Sequence, residues 1–258
     1  MELVLILAAV FVYVTIVFVI ALIKKRFDIV DIAWGGAFIV VALSSLALNP
    51  NRGGLQLFVT SLVIIWGVRL AYSIWRRLLR APAEDPRYTE LRSKWRGNVA
   101  LNAYQRIFLT QGILAIIIAS AVIVVNLSDV QTVGWLAVLG GVVWVIGYTF
   151  EAVGDAQLKQ HLTDPRKKGQ LMTSGLWQYT RHPNYFGEAT QWWGIWIIAL
   201  SVPLGWVAIV SPLLITYLLL YVSGVPLVEK RFDGRPGWDG YKKRTNRFIP
   251  WIPKKHKL

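Results

Sequence analysis

Cysteine is absent from the 258 residues. That excludes disulfides, cysteine nucleophiles, thiolate zinc sites and iron–sulfur clusters, and it leaves the redox compartment open. Histidine is scarce too. His161, His182 and His256 are the three present, too few to suggest a histidine-rich metal centre. Charged residues amount to 16%, against roughly 25% in a soluble globular domain, and long stretches hold none. This deficit excludes a soluble enzyme, a disordered chain and a collagen-like repeat. Acidic charge is the scarcest of all, with 14 Asp and Glu against 28 Lys and Arg, a formal net charge of +14. On a soluble protein that surplus would point to nucleic acid; here the position of the charge decides.

What is abundant is apolar and aromatic. Hydrophobic residues reach 55%, mean hydropathy is +0.48, and there are 13 Trp, 10 Tyr and 10 Phe, a mix suited to aromatic belts at membrane interfaces. A bilayer core of about 30 Å takes roughly 20 apolar residues per helix. Such runs cover 2–23, 29–48, 55–75, 107–127, 132–152, 186–202 and 204–225. The expected fold is all-α: one domain over 1–258, an integral membrane bundle of seven transmembrane helices. The first run is too long for a signal peptide and has no basic leader.

The cations fix the predicted orientation. Arg52 alone lies on one side, Arg69 lies within the third run, and the other 26 occupy the connections after the first, third, fifth and seventh runs, the last group from Lys230 to Lys257. The positive-inside rule then puts the N-terminus outside and the C-terminus in the cytoplasm. The surplus is topology, with anionic membrane lipids or an anionic cofactor as its partners, and nucleic acid is not expected. The arrangement fits a bacterial inner membrane. The cytoplasmic connections 76–106 and 153–185 are long, and long loops on a rigid scaffold carry chemistry.

Ionisable groups inside a span are costly and mark candidate sites. Asp31 lies about a turn deeper than Asp28 and reads either as a structural partner for Arg69 and a helix N-terminal carboxylate, or as a site acid. Arg69 and Arg76 share a helix face, with Tyr72 between them; Arg69 reads as an anion clamp or as a snorkelling side chain. Glu151 and Asp155 are four apart, and Lys159 continues the stripe, as a polar ligand wall or as an ordinary helix end. Glu188 and Gln191 stand at the head of the sixth run, where lipid exposure would be costly, so that face is expected to look inward.

The run Ser174-Gly-Leu-Trp-Gln-Tyr-Thr-Arg181-His182-Pro183-Asn184-Tyr185-Phe186-Gly187-Glu188 resembles the C-terminal cofactor motif of the steroid 5α-reductase-like membrane family, nearest to a bacterial branch of formerly unknown function. Asp31-Ile-Ala-Trp-Gly, Trp66-Gly-Val-Arg-Leu and Glu84-Asp-Pro-Arg-Tyr88 are similar to that branch as well. So are Gly154-Asp-Ala-Gln-Leu-Lys159, Ser223-Gly-Val-Pro, and Tyr241 with Ile249-Pro250. The resemblance spans almost the whole chain. It implies a seven-helix bundle that takes NADPH from the cytoplasm and a lipid-like substrate from the bilayer. Hydride would pass to the β-carbon of a C=C–C=O system and a proton to the α-carbon.

Residue by residue, the resemblance implies nicotinamide and ribose contacts at Asn184, Tyr185 and Glu188, and a polar wall at Asp155 and Lys159. It implies cofactor contacts at Arg69, Tyr72 and Arg80 on the third span, at Tyr241 near the C-terminus, and at Arg181 and His182, which match the related sterol-reductase motif. The family's Gln–Glu pair on span 2 and Tyr on span 3 are missing; Asp31 and Trp66 stand in those regions and are the expected catalytic positions. No Gly-x-Gly-x-x-Gly follows a strand, so the bundle itself would hold the cofactor. An Arg-His-Pro-x-Tyr-x-Gly run also occurs in membrane methyltransferases that use S-adenosylmethionine on isoprenylcysteine or phospholipid amines, which gives a second reading. A non-enzymatic lipid-binding or transport protein is the third.

Overall fold

A computed structural model describes residues 1–81 and 83–254; His256 and the last two lysines lie outside the described residues. It is 75% helical and has no strands among the described residues, as the all-α expectation requires. Helix α1 (Glu2–Lys24) starts with its acid and ends with its base, each placed to favour the helix dipole. Helix α2 (Ile29–Leu48) follows after a four-residue turn, and α3 (Gly54–Arg80) opens where the Gln56 side chain accepts from the Gly53 N–H at 3.0 Å. Short helix α4 (Pro86–Ser93) is capped by Asp85 with Pro86 at its first position. Then come α5 (Val99–Ile118), which contains a π turn over Tyr104–Leu109, and α6 (Ser120–Asn126). Long α7 (Trp135–Thr163), α8 (Pro183–Ala199), α9 (Gly205–Lys230) and α10 (Trp238–Arg244) complete the chain.

Six of these, α1, α2, α3, α5, α7 and α9, are long and apolar enough to cross a membrane, which fits an integral membrane protein. The predicted sixth run, 186–202, is helical as α8 but differs in kind. Its 17 residues span only about 26 Å, and most of them are buried, including Glu188, Gln191 and Trp192. The polar residues at its head are the reason. A helix that carries them is stable only where protein covers it. Predicted run 107–127 is instead a rod that begins at Val99 and breaks at Ala119. The connection expected to begin at 153 stays helical to Thr163, so Glu151, Asp155 and Lys159 share one rigid helix.

The chain forms two compact units, residues 1–137 with 199–210, and residues 138–198 with 211–258. In the first, α2 and α3 touch backbone to backbone: a Cβ on Gly35 would lie 2.5 Å from the Gly67 carbonyl oxygen. Just beyond this contact Phe38 meets Trp66 edge-on at 5.1 Å. A buried polar knot closes one end of the unit. Asn126 Nδ2 donates to Ser45 Oγ, to Thr60 Oγ1 and to the Ala42 carbonyl, while Asn49 and Gln56 donate to carbonyls of residues 125–130.

In the second unit the glycines set the geometry. Gly140, Gly147 and Gly154 recur every seven residues along α7 and meet Gly194, Gly187 and Pro183 of antiparallel α8; added Cβ atoms would come within 2.5, 2.6 and 3.2 Å of those partners. Small residues let helices in lipid approach this closely.

Candidate functional site

The glycine contact between α7 and α8 brings their polar side chains within reach of one another. Gly187 packs against the backbone of Glu151, and Gln191, one turn further on, donates from Nε2 to Glu151 Oε2 at 2.5 Å. At the other end Asn184 donates from Nδ2 to Asp155 Oδ1 at 3.1 Å. Glu151, Glu188 and Gln191 are buried, whereas Asn184 and Asp155 are half-buried. Each amide is turned so that its NH2 group serves the carboxylate. The consequence is at the opposite atom: Asn184 Oδ1 and Gln191 Oε1 are both shielded from solvent and accept no hydrogen bond. A buried acceptor left without a donor is expensive. The two oxygens can therefore accept from donors such as a carboxamide NH2, a hydroxyl or an ammonium. Lys159 lies a turn beyond Asp155 and is exposed.

Beside the wall is a tighter knot in the same unit. Arg181 Nε donates to Glu229 Oε1 at 2.8 Å, and its Nη1 donates to the carbonyls of Thr245 at 2.7 Å and Lys242 at 3.2 Å. His182 Nε2 meets the same Glu229 oxygen at 3.1 Å, and its ring is stacked on Tyr185 at 5.6 Å. Tyr241 is buried, with its hydroxyl donated to the Trp177 carbonyl. Burial pushes the His182 imidazole below its ordinary range, against the upward pull of Glu229. Burial likewise pushes the Tyr241 hydroxyl up.

In the first unit Asp31 is engaged from three directions. Tyr88 donates its hydroxyl to Oδ1 at 2.5 Å, Arg87 Nη2 donates to Oδ2 at 2.9 Å, and Arg77 Nη2 lies 3.7 Å from Oδ2. Both Arg87 and Tyr88 come from α4, which is strapped down along its entry. The Phe27 N–H donates to Glu84 Oε1 at 2.6 Å, the Asp85 N–H donates to Asp28 Oδ2 at 3.0 Å, and Arg92 pairs with Glu84. Burial and the neighbouring Asp31 both push the Tyr88 ionisation up. Trp66 is a core side chain against Phe38. Arg69 is half-buried, Tyr72 is exposed with Arg76 over its ring, and Arg80 is exposed as the last residue of α3.

A family model described as a protein of unknown function (DUF1295) matches residues 17–245. The chain belongs to that family. No curated protein and no solved structure gives a match. The DUF1295 match contains every predicted site residue, and the structure sorts them. Asp155 and Asn184 pair along the α7–α8 wall, joined there by Glu151 and Gln191, and Glu188 is buried on α8 between Asn184 and Gln191. Arg181, His182 and Tyr241 are tied into the Glu229 knot, so the Arg181 guanidinium is committed to a carboxylate and two carbonyls. Asp31 belongs to the strap. Glu229 is the residue that the motifs do not single out as a site. It lies 47 residues from His182, a separation at which no local spacing can announce a contact.

Proposed function

We propose that this DUF1295 protein is a membrane-embedded NADPH-dependent reductase of a C=C bond conjugated to a carbonyl, acting on a steroid-like or other lipid substrate that enters from the bilayer. It would lie in a bacterial inner membrane as a seven-helix bundle, with the basic side cytoplasmic. The buried, unpartnered Oδ1 of Asn184 carries this proposal. A nicotinamide ends in a carboxamide whose NH2 is the donor that this atom lacks, and the ribose hydroxyls are donors suited to Asp155 and Glu188. Bound there, NADPH would supply a hydride. The chain's own part is to hold the carboxamide at Asn184, orient the ribose with Asp155 and Glu188, and keep water out through the apolar packing of α7 on α8.

The resemblance alone assigns Arg69, Tyr72 and Arg80 to positions that approach the cofactor, and Lys159 to the polar wall beside Asp155. Arg181, His182, Tyr185 and Tyr241 then act by fixing the loop that precedes Asn184. Asp31 and Trp66 remain the proposed catalytic positions. Held by two arginines, Asp31 accepts the Tyr88 hydroxyl and so orients it.

The same wall favours a second reading. Glu151, Asp155 and Glu188 are acidic, and S-adenosylmethionine carries an ammonium and a sulfonium that carboxylates attract, so lipid methyl transfer fits as well. Thermal unfolding of the detergent-purified protein with NADPH, NADH and S-adenosylmethionine separates the two. We expect stabilisation by NADPH that Asn184→Ala abolishes. Stabilisation by S-adenosylmethionine alone would establish methyl transfer instead, and no response to any of the three would favour a non-enzymatic lipid binder.

A further inference from the structure

The segment after α10 leaves an exposed apolar surface that lies apart from the α7–α8 wall. Residues 245–254 read Thr-Asn-Arg-Phe-Ile-Pro-Trp-Ile-Pro-Lys, with no acid and with two prolines that prevent helix formation. This extended stretch is pinned rather than loose. Thr180 and Asn246 form an isolated parallel bridge, the Arg181 N–H donates to the Asn246 carbonyl at 2.9 Å, and Thr180 Oγ1 donates to the Phe248 carbonyl at 2.7 Å. The Trp251 N–H donates to the Tyr179 carbonyl, and the Lys254 N–H to the Arg244 carbonyl, both at 3.0 Å. Phe248 turns inward onto Phe186 at 5.9 Å.

Its neighbours turn outward. Ile249, Trp251 and Ile252 are 64%, 67% and 76% exposed, and Trp251, Ile252 and Pro250 form an open groove with Tyr179. Three large apolar side chains held rigidly with no protein over them would be costly in water unless something covers them. The cations indicate what does so. Lys243, Arg244, Arg247 and Lys254 are exposed around the patch, and Asp239 and Asp233 are taken up by Lys242. Trp and Ile ringed by Lys and Arg is the composition that seats at the boundary of headgroups and acyl chains in an anionic leaflet.

The geometry points to residues 249–254 as a membrane-surface anchor that inserts Trp251 and Ile252 into an anionic phospholipid leaflet while Lys243, Arg244, Arg247 and Lys254 meet the headgroups. The anchor holds in place the strand-like pairing with 179–181, and so the loop that leads into Asn184. It does not depend on which cofactor the wall receives.

The absence of cysteine gives a clean test. Ile252→Cys in the full chain, labelled with an environment-sensitive fluorophore, is reconstituted into vesicles of phosphatidylcholine alone and into vesicles with 30% phosphatidylglycerol. With the anionic lipid we expect a blue shift, quenching by nitroxide lipid labelled near the headgroup, and at least threefold protection from aqueous iodide. We expect most of this to vanish in phosphatidylcholine, or when Lys243, Arg244, Arg247 and Lys254 are all replaced by Gln. Equal iodide access in both membranes without lipid quenching would overturn the anchor. Equal quenching by lipid in both membranes would overturn its dependence on anionic headgroups.

Discussion

Two buried polar clusters, one in each compact unit, differ in what they leave over. The knot of Ser45, Asn49, Gln56, Thr60 and Asn126 closes on itself: the Asn126 amide donates three ways and its oxygen accepts from Thr60 Oγ1. The wall of Glu151, Asp155, Asn184 and Gln191 spends its amide donors on carboxylates and leaves two buried oxygens without donors. Polar groups at membrane depth must be paired. A cluster that satisfies itself serves the architecture, and one that does not has acceptors to offer a donor. The same distinction separates Arg181, whose nitrogens end on Glu229 and two carbonyls, from Asn184 three residues later.

The largest effect is expected at the brace beneath the wall. Gly147→Leu would drive side-chain atoms into the Gly187 carbonyl and the Gln191 backbone, where even a Cβ lies at 2.6 and 2.7 Å. We expect a loss of roughly 3 kcal/mol or more, or no folded protein, by denaturant or thermal unfolding in detergent, together with loss of ligand stabilisation. A crossed pair of variants then sharpens the contrast. Asn126→Ala strands Thr60, Ser45 and a carbonyl, and should cost about 2 to 3 kcal/mol while leaving any NADPH-induced shift intact. Asn184→Ala should cost under about 1 kcal/mol and remove that shift. If Asn126→Ala instead proves mild and Asn184→Ala severe, the two clusters have been assigned the wrong way round.

Composition and periodicity make the helices legible because each span is a local property. Helices α1, α2 and α3 start within one residue of their predicted positions. They fail where tertiary cover replaces lipid. In 186–202 the polar Glu188 and Gln191 announce an inward face at the head of the helix, and both are buried, but nothing between 76 and 106 says that α4 folds back onto Asp28 and Asp31. The polar residues of the wall were legible as types at spacings. The Gly140, Gly147 and Gly154 heptad that joins them was present in the sequence too, but its meaning needs the facing Gly187 and Gly194. Glu229 was not legible as a partner of Arg181 and His182, because only the return of the chain brings it there.

The strap tests whether Asp31 belongs to the self-satisfied class. Tyr88→Phe removes one hydrogen bond to Asp31 and should cost about 1 kcal/mol. Its pH dependence is more telling. The native tyrosine holds its proton above the ordinary value near 10, so above that pH the unfolded chain has lost a proton that the folded chain keeps, and stability falls as pH rises. Unfolding of the wild type between pH 9 and 11 should show this loss, and the Phe variant should lose less.

The smallest effect concerns His182, where burial and a partner pull in opposite directions. Burial wins, so the folded-state value lies below the ordinary 6.5. Between the two values the unfolded chain binds a proton that the folded one refuses. Stability is therefore complete above pH 6.5 and declines as pH falls below it. The decline is read between pH 7 and 5, above the range in which Asp164, whose ionisation is held down by Arg166, titrates. In that window His182→Gln should flatten the decline. A wild type that gains stability on acidification would mean that Glu229 outweighs burial. His182 would then be a charged member of the Arg181 knot, rather than the neutral ring on which Tyr185 stacks.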